Sequence, residues 1–384
     1  VTEGDFNAVF TACENSNAGE PGVFWTNDFD VGTNPCFSYE TKILTPNGYQ
    51  EIGSLDGDCV LINEKGDAAH AKVWSNGVKP LVVFNFAGRT IKCTADHRFK
   101  LTDGSECAAS ELSGKRLMPF AVVNAEVSEF VKLGFIQGDG CTGRLKSPFH
   151  LGMEINIGEK DREVAEIFGF SFQEGKRTYY TREFNARARA LKFSTEELPK
   201  RGLPETFHSW KIQEQLDFLR GLFSANGCVI RGYRVALKST CYRLVFDIGE
   251  FLKNQGIDNY ITTNKAKVVE FSNGAYTCKE SYDLNIGKFS NLLLFSRKIG
   301  FVHKYKRDHL RELLLAKSPI VPSVKTCGQD VVFDFALDGD NHWGVVEGCI
   351  AHNCGEISLR HKEFCNLCTI NFSSVVNQRD FNLR

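Results

Sequence analysis

No apolar run in these 384 residues is long enough to cross a bilayer, which excludes a helical membrane protein. There is no charged and then apolar leader after Val1, so no targeting signal is expected. The missing initiator Met suggests a segment of a longer polypeptide. Fourteen Cys are few for a disulfide scaffold of this size, and their spacing is irregular. Most are expected to be small buried hydrophobes in a reducing compartment, the cytosol. No short-period repeat is visible. What is present is ordinary globular composition, 42% hydrophobic, in a chain long enough for two or three cores.

The net charge of −1 hides an asymmetry. Residues 121–320 hold 31 Lys and Arg against 23 Asp and Glu, a block of +8 that leaves −9 for the remainder. A basic block between acidic flanks suggests contact with a polyanion, with a solvated basic surface as the competing reading.

Punctuation divides the chain into sections. Residues 1–35 are loop-rich. Residues 36–122 alternate apolar and polar positions over Thr41–Leu44, Cys59–Asn63, Leu81–Phe86 and Thr90–Thr94. Turn signals at Pro46-Asn47-Gly48, Asn76-Gly77 and Asp103-Gly104 separate them, which predicts β-hairpins. Residues 123–319 change character, with helices expected over Val127–Gln137, Gln213–Phe223, Tyr242–Gln255 and Leu310–Lys317. Residues 320–353 return to strand pattern at Val331–Leu337 and Trp343–Ala351. The two β sections most simply form one domain interrupted by the middle one. Residues 354–384 follow.

Cys36 and the run His352-Asn353-Cys354 stand at the edges of this interrupted β domain. Deleting residues 36–353 joins Asn34-Pro35 to Cys354-Gly355-Glu356. Thr94-Ala95-Asp96-His97 lies between the two edges. These residues together resemble an intein, a protein-splicing element of the Hint family, whose all-β horseshoe is shared with hedgehog autoprocessing domains. A hedgehog-type domain lacks the Asn-Cys ending.

The resemblance implies a role for each residue. Cys36 would attack the Pro35 carbonyl, and a thiol suits this because its thiolate is strongly nucleophilic. Thr94 would polarise the amide, and His97 would bond and protonate the leaving nitrogen. Cys354 would take over the acyl group, and Asn353 would cyclise with help from His352 and His342. Asp334 falls where inteins carry an acid linking the two junctions. No cofactor is needed for splicing. The fixed φ of Pro35 restricts the acyl geometry.

Leu133-Gly134-Phe135-Ile136-Gln137-Gly138-Asp139-Gly140 and Leu219-Arg220-Gly221-Leu222-Phe223-Ser224-Ala225-Asn226-Gly227 resemble the paired motifs of LAGLIDADG homing endonucleases. Small residues four apart on one helix face let two helices pack closely. The resemblance implies an α+β insertion of pseudo-twofold αββαββα repeats acting on double-stranded DNA. Asp139 and Asn226 would hold Mg²⁺ above the scissile phosphates, and Lys238 matches the family's active-site lysine. Asn226 stands where the family has an acid, and its neutral oxygen holds a metal more weakly. Arg177, Tyr179, Arg182, Arg187 and Arg189 interleave base and aromatic as candidates for DNA contact, with a solvated strand face as the alternative.

The flanks resemble the active site of ribonucleotide reductases, most like the adenosylcobalamin-dependent class. Cys354 would be its radical cysteine, Glu356 its acid/base and Asn34 a substrate-orienting amide. Cys365 of Cys365-Asn366-Leu367-Cys368 would be a reducing cysteine, with a metal half-site as the alternative. Adenosylcobalamin would serve only the complete host enzyme. The intein is expected to be a monomer that needs no membrane. The rivals are a reductase segment carrying an inert insertion and a DNA endonuclease without splicing.

Overall fold

The computed structural model describes residues 35–353, apart from 56, 122–126, 142–153, 159–160, 176–177, 180–185, 188, 195, 272–273 and 339–341. The chain divides into two compact units, residues 1–35 with 355–384 and Cys36–Cys354. The second is the one described here.

Its first section is all strand: β1 (Phe37–Ser38), β2 (Lys42–Thr45), β3 (Gly48–Glu51), β4 (Gly57–Ile62), β5 (Ala68–Phe86), β6 (Arg89–Cys93), β7 (Arg98–Lys100) and β8 (Glu106–Ala108). The middle section mixes helices and strands: α1 (Glu129–Asp139), β9 (Gly140–Cys141), β10 (Glu154–Asn156), α2 (Arg162–Ile167), β11 (Thr178–Tyr179), α3 (Ile212–Asn226), β12 (Gly227–Ile230) and β13 (Arg234–Ser239). It continues with α4 (Tyr242–Asn254), β14 (Tyr260–Asn264), β15 (Lys267–Phe271), β16 (Gly274–Cys278), β17 (Ser281–Ile286), α5 (Phe289–Lys298) and α6 (Lys304–Lys317). Strands β18 (Lys325–Leu337), β19 (Trp343–Val346) and β20 (Cys349–His352) end it.

The outer β sections interleave. One sheet has the order β18-β1-β6-β5-β4, with β18 also paired to β5, and another has the order β3-β2-β19-β20-β7-β8. Each sheet therefore takes strands from both sides of the middle section. Apolar side chains from residues 37–117 and 321–351, among them Phe37, Phe84, Phe99, Phe335 and Val346, build one core. The middle section builds its own around Phe135, Phe207, Phe218, Phe223 and Phe295. Its sheet β12-β13-β17-β14 is antiparallel, and the elements α3-β12-β13-α4-β14-β17-α5 follow one another around it, with the β15–β16 hairpin between β14 and β17.

Arg297 of α5 joins the two cores. Its guanidinium donates to Phe120 O at 3.1 Å and to Gly348 O at 3.1 Å. Ser296 beside it donates to Ala121 O at 3.2 Å. Gly348 lies in the tight turn between β19 and β20, where Glu347 and Gly348 have φ +46° and +92°.

The Asn76-Gly77 hairpin expected from sequence does not form. Strand β5 runs unbroken through it for 19 residues. The register against β18 shifts between Val331↔Val78 and Phe333↔Ser75, so the dipeptide makes a bulge, with Gly77 at φ +75°. Glycine serves a bulge and a turn for the same conformational reason, and the long partner strand β18 decides between them. The turn joining β5 to β6 falls instead at Ala87-Gly88.

Candidate functional site

Strand register brings the upstream and downstream edges to one place. Phe37 pairs with Cys93 on β6 and with Phe333 on β18, which fixes Cys36 between these strands. On the other sheet Ala351 pairs antiparallel with Phe99, so the chain leaving β20 toward Asn353 runs alongside the chain entering β7 from His97. Strand β18 carries Asp334 at one end of this span, one residue beyond the partner of Phe37, and Leu337 at the other.

Cys36 is fully buried. Its backbone N–H donates to Thr94 Oγ1 at 3.0 Å, and the Thr94 N–H donates back to Cys36 O at 2.9 Å. His97 is also fully buried, with its ring 3.9 Å from that of Phe37 and 5.3 Å from that of Phe99. Thr94, Cys36 and His97 thus share one pocket, with Thr94 bonded to the amide nitrogen that the sequence reading gave to His97. The buried Asp334 carboxylate accepts the Phe335 N–H at 2.7 Å. Burial, with the Asp334 charge adding to it, pushes the Cys36 thiol up to about 11. Two groups oppose that rise: Asn76 Nδ2 donates to Cys36 Sγ at 3.2 Å and Lys79 Nζ at 3.6 Å. Neither was singled out from sequence, where Asn76 reads only as half of a turn signal.

Asn353 is 5% exposed and pinned on both faces. Its backbone N–H donates to His342 O at 2.7 Å. Its side-chain amide donates to the same oxygen at 3.0 Å and accepts from the Leu337 N–H at 3.2 Å. His352 Nδ1 sits against the carbonyl oxygen of Asn353. The His352 ring stacks parallel to that of His342 at 5.9 Å and edge-on to that of Trp343 at 4.8 Å. His352 therefore lies at the carbonyl of Asn353, and the His342 ring stacks on that of His352. Cys354 lies outside the described residues, as do Asn34, Glu356 and Cys365.

The second constellation lies at the ends of α1 and α3. A Cβ on Gly134 would fall 1.8 Å from Phe218 O, and one on Gly221 would fall 1.9 Å from Val131 O. Only glycine permits backbones this close. Asp139 and Asn226 are the last residues of the two helices, and a Cβ on Gly138 would lie 3.1 Å from Asn226 Cγ. Lys238 is exposed on β13, next to Leu237, the register partner of the glycine that follows Asn226. On the neighbouring strand Asp283 stands opposite Lys238. Buried Lys306, absent from the sequence reading, donates to Ser224 O at 2.5 Å and Gly227 O at 2.8 Å, on either side of Asn226. It satisfies carbonyls at a helix end, where a cation is favoured.

Of the candidates for DNA contact, Arg177 and Arg182 lie outside the described residues. Tyr179 is corrected to a core residue: it is buried, packs its ring 5.3 Å from that of Phe170 and accepts the Gln173 N–H through its hydroxyl. Arg187 is exposed but paired with Glu129 at 3.2 Å and laid over Phe130 at 5.6 Å, which ties it to α1. Arg189 is exposed.

Residues 213–300 match the family of LAGLIDADG-like domains. Among curated proteins the chain is similar to a ribonucleoside-diphosphate reductase NrdEB subunit alpha of Bacillus subtilis (strain 168), 21% identical over 85% of this chain and 36% of the relative. It is also similar to a replicative DNA helicase DnaB of Synechocystis sp., 26% identical over 68% of this chain and 32% of the relative. The chain thus spans about a third of the length of these relatives. Among solved structures it is similar to a DnaB intein from Synechocystis sp. PCC 6803, 13% identical, covering 83% of this chain and 99% of that one, with a TM-score of 0.28. It is similar as well to the gp41-1 intein, 21% identical, covering 22% of this chain and 68% of that one, with a TM-score of 0.20. Among the described residues no helix is long and apolar enough to cross a membrane.

Proposed function

We propose that this chain, whose middle section carries a LAGLIDADG-like domain, is a cis-splicing intein that excises residues 36–353 and joins Pro35 to Cys354. The observation that carries the reading is the convergence of Cys36, Thr94, His97 and Asp334 with His342, His352 and Asn353 on β18 and the paired β7 and β20 ends. Cys36 attacks the Pro35 carbonyl, with Thr94 orienting the scissile amide through its 3.0 Å bond and His97 returning a proton to the nitrogen. Cys354 takes the acyl group by transthioesterification. Asn353 then closes on its own carbonyl, polarised by His352, and frees the downstream piece before an S-to-N shift forms the peptide bond. No step calls for a cofactor.

The middle section is read as a homing endonuclease directed at double-stranded DNA of the host gene. The α1–α3 ends present one carboxylate, Asp139, and one amide, Asn226, with no group of three or more His, Cys, Asp or Glu gathered for a metal among the described residues. Such a sparse oxygen set suits Mg²⁺, which keeps several waters and takes substrate phosphate as ligand. Bound there, the ion would supply charge neutralisation at the phosphate and an activated water. Lys238 offers a cation beside it, and Arg189 is an exposed candidate for phosphate contact. A neutral Asn226 makes the cleft weaker in metal binding than a paired-acid one. The roles of Asn34, Cys354, Glu356 and Cys365, and the adenosylcobalamin requirement, belong to the complete host reductase.

The test is mass analysis of the freshly expressed chain. Splicing yields a 318-residue protein and a 66-residue ligated product. Full-length chain alone would refute the reading.

A further inference from the structure

The Asn76-Gly77 bulge lies where β5 passes Cys36. A bulge re-aims side chains out of the regular alternation of a strand and recurs next to active sites. Here it directs Asn76 Nδ2 to the sulfur at 3.2 Å, and Lys79, three residues on, reaches the same atom at 3.6 Å. The rest of the sulfur's surroundings is hostile to charge. Leu81 and Val332 pack on it as apolar walls, and Asp334 adds a like charge to any thiolate. Asp330 stands opposite Lys79 in the β5–β18 register, on the same sheet face, and is exposed to solvent. A nucleophile in such a pocket needs a compensating cation, because the thiolate, not the thiol, attacks.

We propose that Lys79 is a catalytic residue of the upstream junction: its ammonium, with the Asn76 amide, stabilises the Cys36 thiolate during the first acyl shift. The inference rests on the splicing reading and adds residues to it. The step balances without oxidant or reductant. The thiol proton leaves to hydroxide from solvent, forming water. Sulfur forms a bond to the Pro35 carbonyl carbon, the bond from that carbon to the Cys36 nitrogen breaks, and His97 protonates the nitrogen. Throughout, Lys79 stays protonated and Asn76 keeps its hydrogens.

The experiment uses the full chain carrying Asn353→Ala, which stops the reaction at the upstream junction. Dithiothreitol then cleaves any thioester and releases the residue 1–35 fragment, quantified from pH 6 to 10. With the thiol raised to about 11, release from the Lys79-bearing chain should climb with pH over this range. Lys79→Met removes an opposite charge, so the thiol rises further and release at neutral pH falls about tenfold, for a shift of about one pH unit. The deficit stays near tenfold across the range, because both thiols titrate above it. Lys79→Arg keeps the charge and most of the rate, and it serves as the control for folding. Asn76→Ala shifts the profile in the same direction by less. A Lys79→Met profile that superimposes on the parent, or a Lys79→Arg chain slowed as much as Lys79→Met, overturns the proposal while leaving splicing intact. Absence of release from the Lys79-bearing chain at every pH overturns the splicing reading and this proposal together.

Discussion

In the proposed scheme Thr94 and His97 divide between them the handling of the amide between Pro35 and Cys36. The hydroxyl of Thr94 accepts the Cys36 N–H, and the buried imidazole, wedged against Phe37, would serve proton transfer. A positioned general acid contributes about 10²–10⁴ in rate. His97→Ala is therefore expected to slow formation of the upstream thioester by about a hundredfold or more, read as accumulation of unprocessed chain on a denaturing gel. Asn353 acts at the other edge. Its amide already bonds His342 O and the Leu337 N–H, so Asn353→Ala should abolish release of the downstream piece without preventing upstream cleavage. Free downstream fragment at the unmodified rate would remove Asn353 from the scheme. In the middle section, Asn226→Asp restores a second carboxylate at the α1–α3 ends and should raise Mg²⁺-dependent cleavage of duplex DNA spanning the uninterrupted host site. No change in cleavage would argue that the amide is not what limits metal binding.

Helices and strands carry these side chains with different tolerance. Helices α1 and α3 approach so closely that Gly134 and Gly221 meet carbonyl oxygens of the opposite helix. Gly134→Ala would force the pair apart, and overpacking of this kind costs about 1–3 kcal/mol. The expected result is a lower unfolding midpoint for the middle section, followed by calorimetry, with splicing retained because its core is separate. This contact was legible in the sequence because small residues spaced four apart leave little else for a helix to do. The four expected helices appear as Glu129–Asp139, Ile212–Asn226, Tyr242–Asn254 and Lys304–Lys317, each close to its apolar period. Helix α5 was not foreseen: Phe289–Lys298 opens with mixed polar and apolar residues, and its helicity is supported by packing against a core contributed from elsewhere. The role of β5 was hidden for a different reason. Pattern marks turns by Asn-Gly, but only the length of β18, far away in sequence, makes that dipeptide a bulge. Tyr179 was misplaced because an aromatic between arginines looks solvent-facing until its neighbours Phe170 and Gln173 are known.

Across the whole folded unit, the outer β strands and the middle section keep distinct cores yet share one clamp. Arg297 reaches out of α5 to the carbonyls of Phe120 and Gly348, and Gly348 turns the hairpin that delivers His352 and Asn353. Hydrogen bonds to a charged group contribute about 1.5–3 kcal/mol each. Arg297→Ala should loosen the β19–β20 turn, slowing downstream release more than upstream thioester formation, measured as a build-up of branched or thioester species by mass spectrometry. Equal slowing of both steps would mean that the clamp serves general stability alone. The +8 block that contains Arg297 was visible in composition, whereas its inward use was not. The same clamp sets a condition on slimming this protein. A shortened derivative that drops residues 123–319 strands the acceptors at Phe120 and Ala121 without their donors and leaves Gly348 O with the Phe120 N–H alone. Engineers or evolution shedding the middle section must therefore graft a substitute cation, or bind water there, before the last hairpin regains its aim.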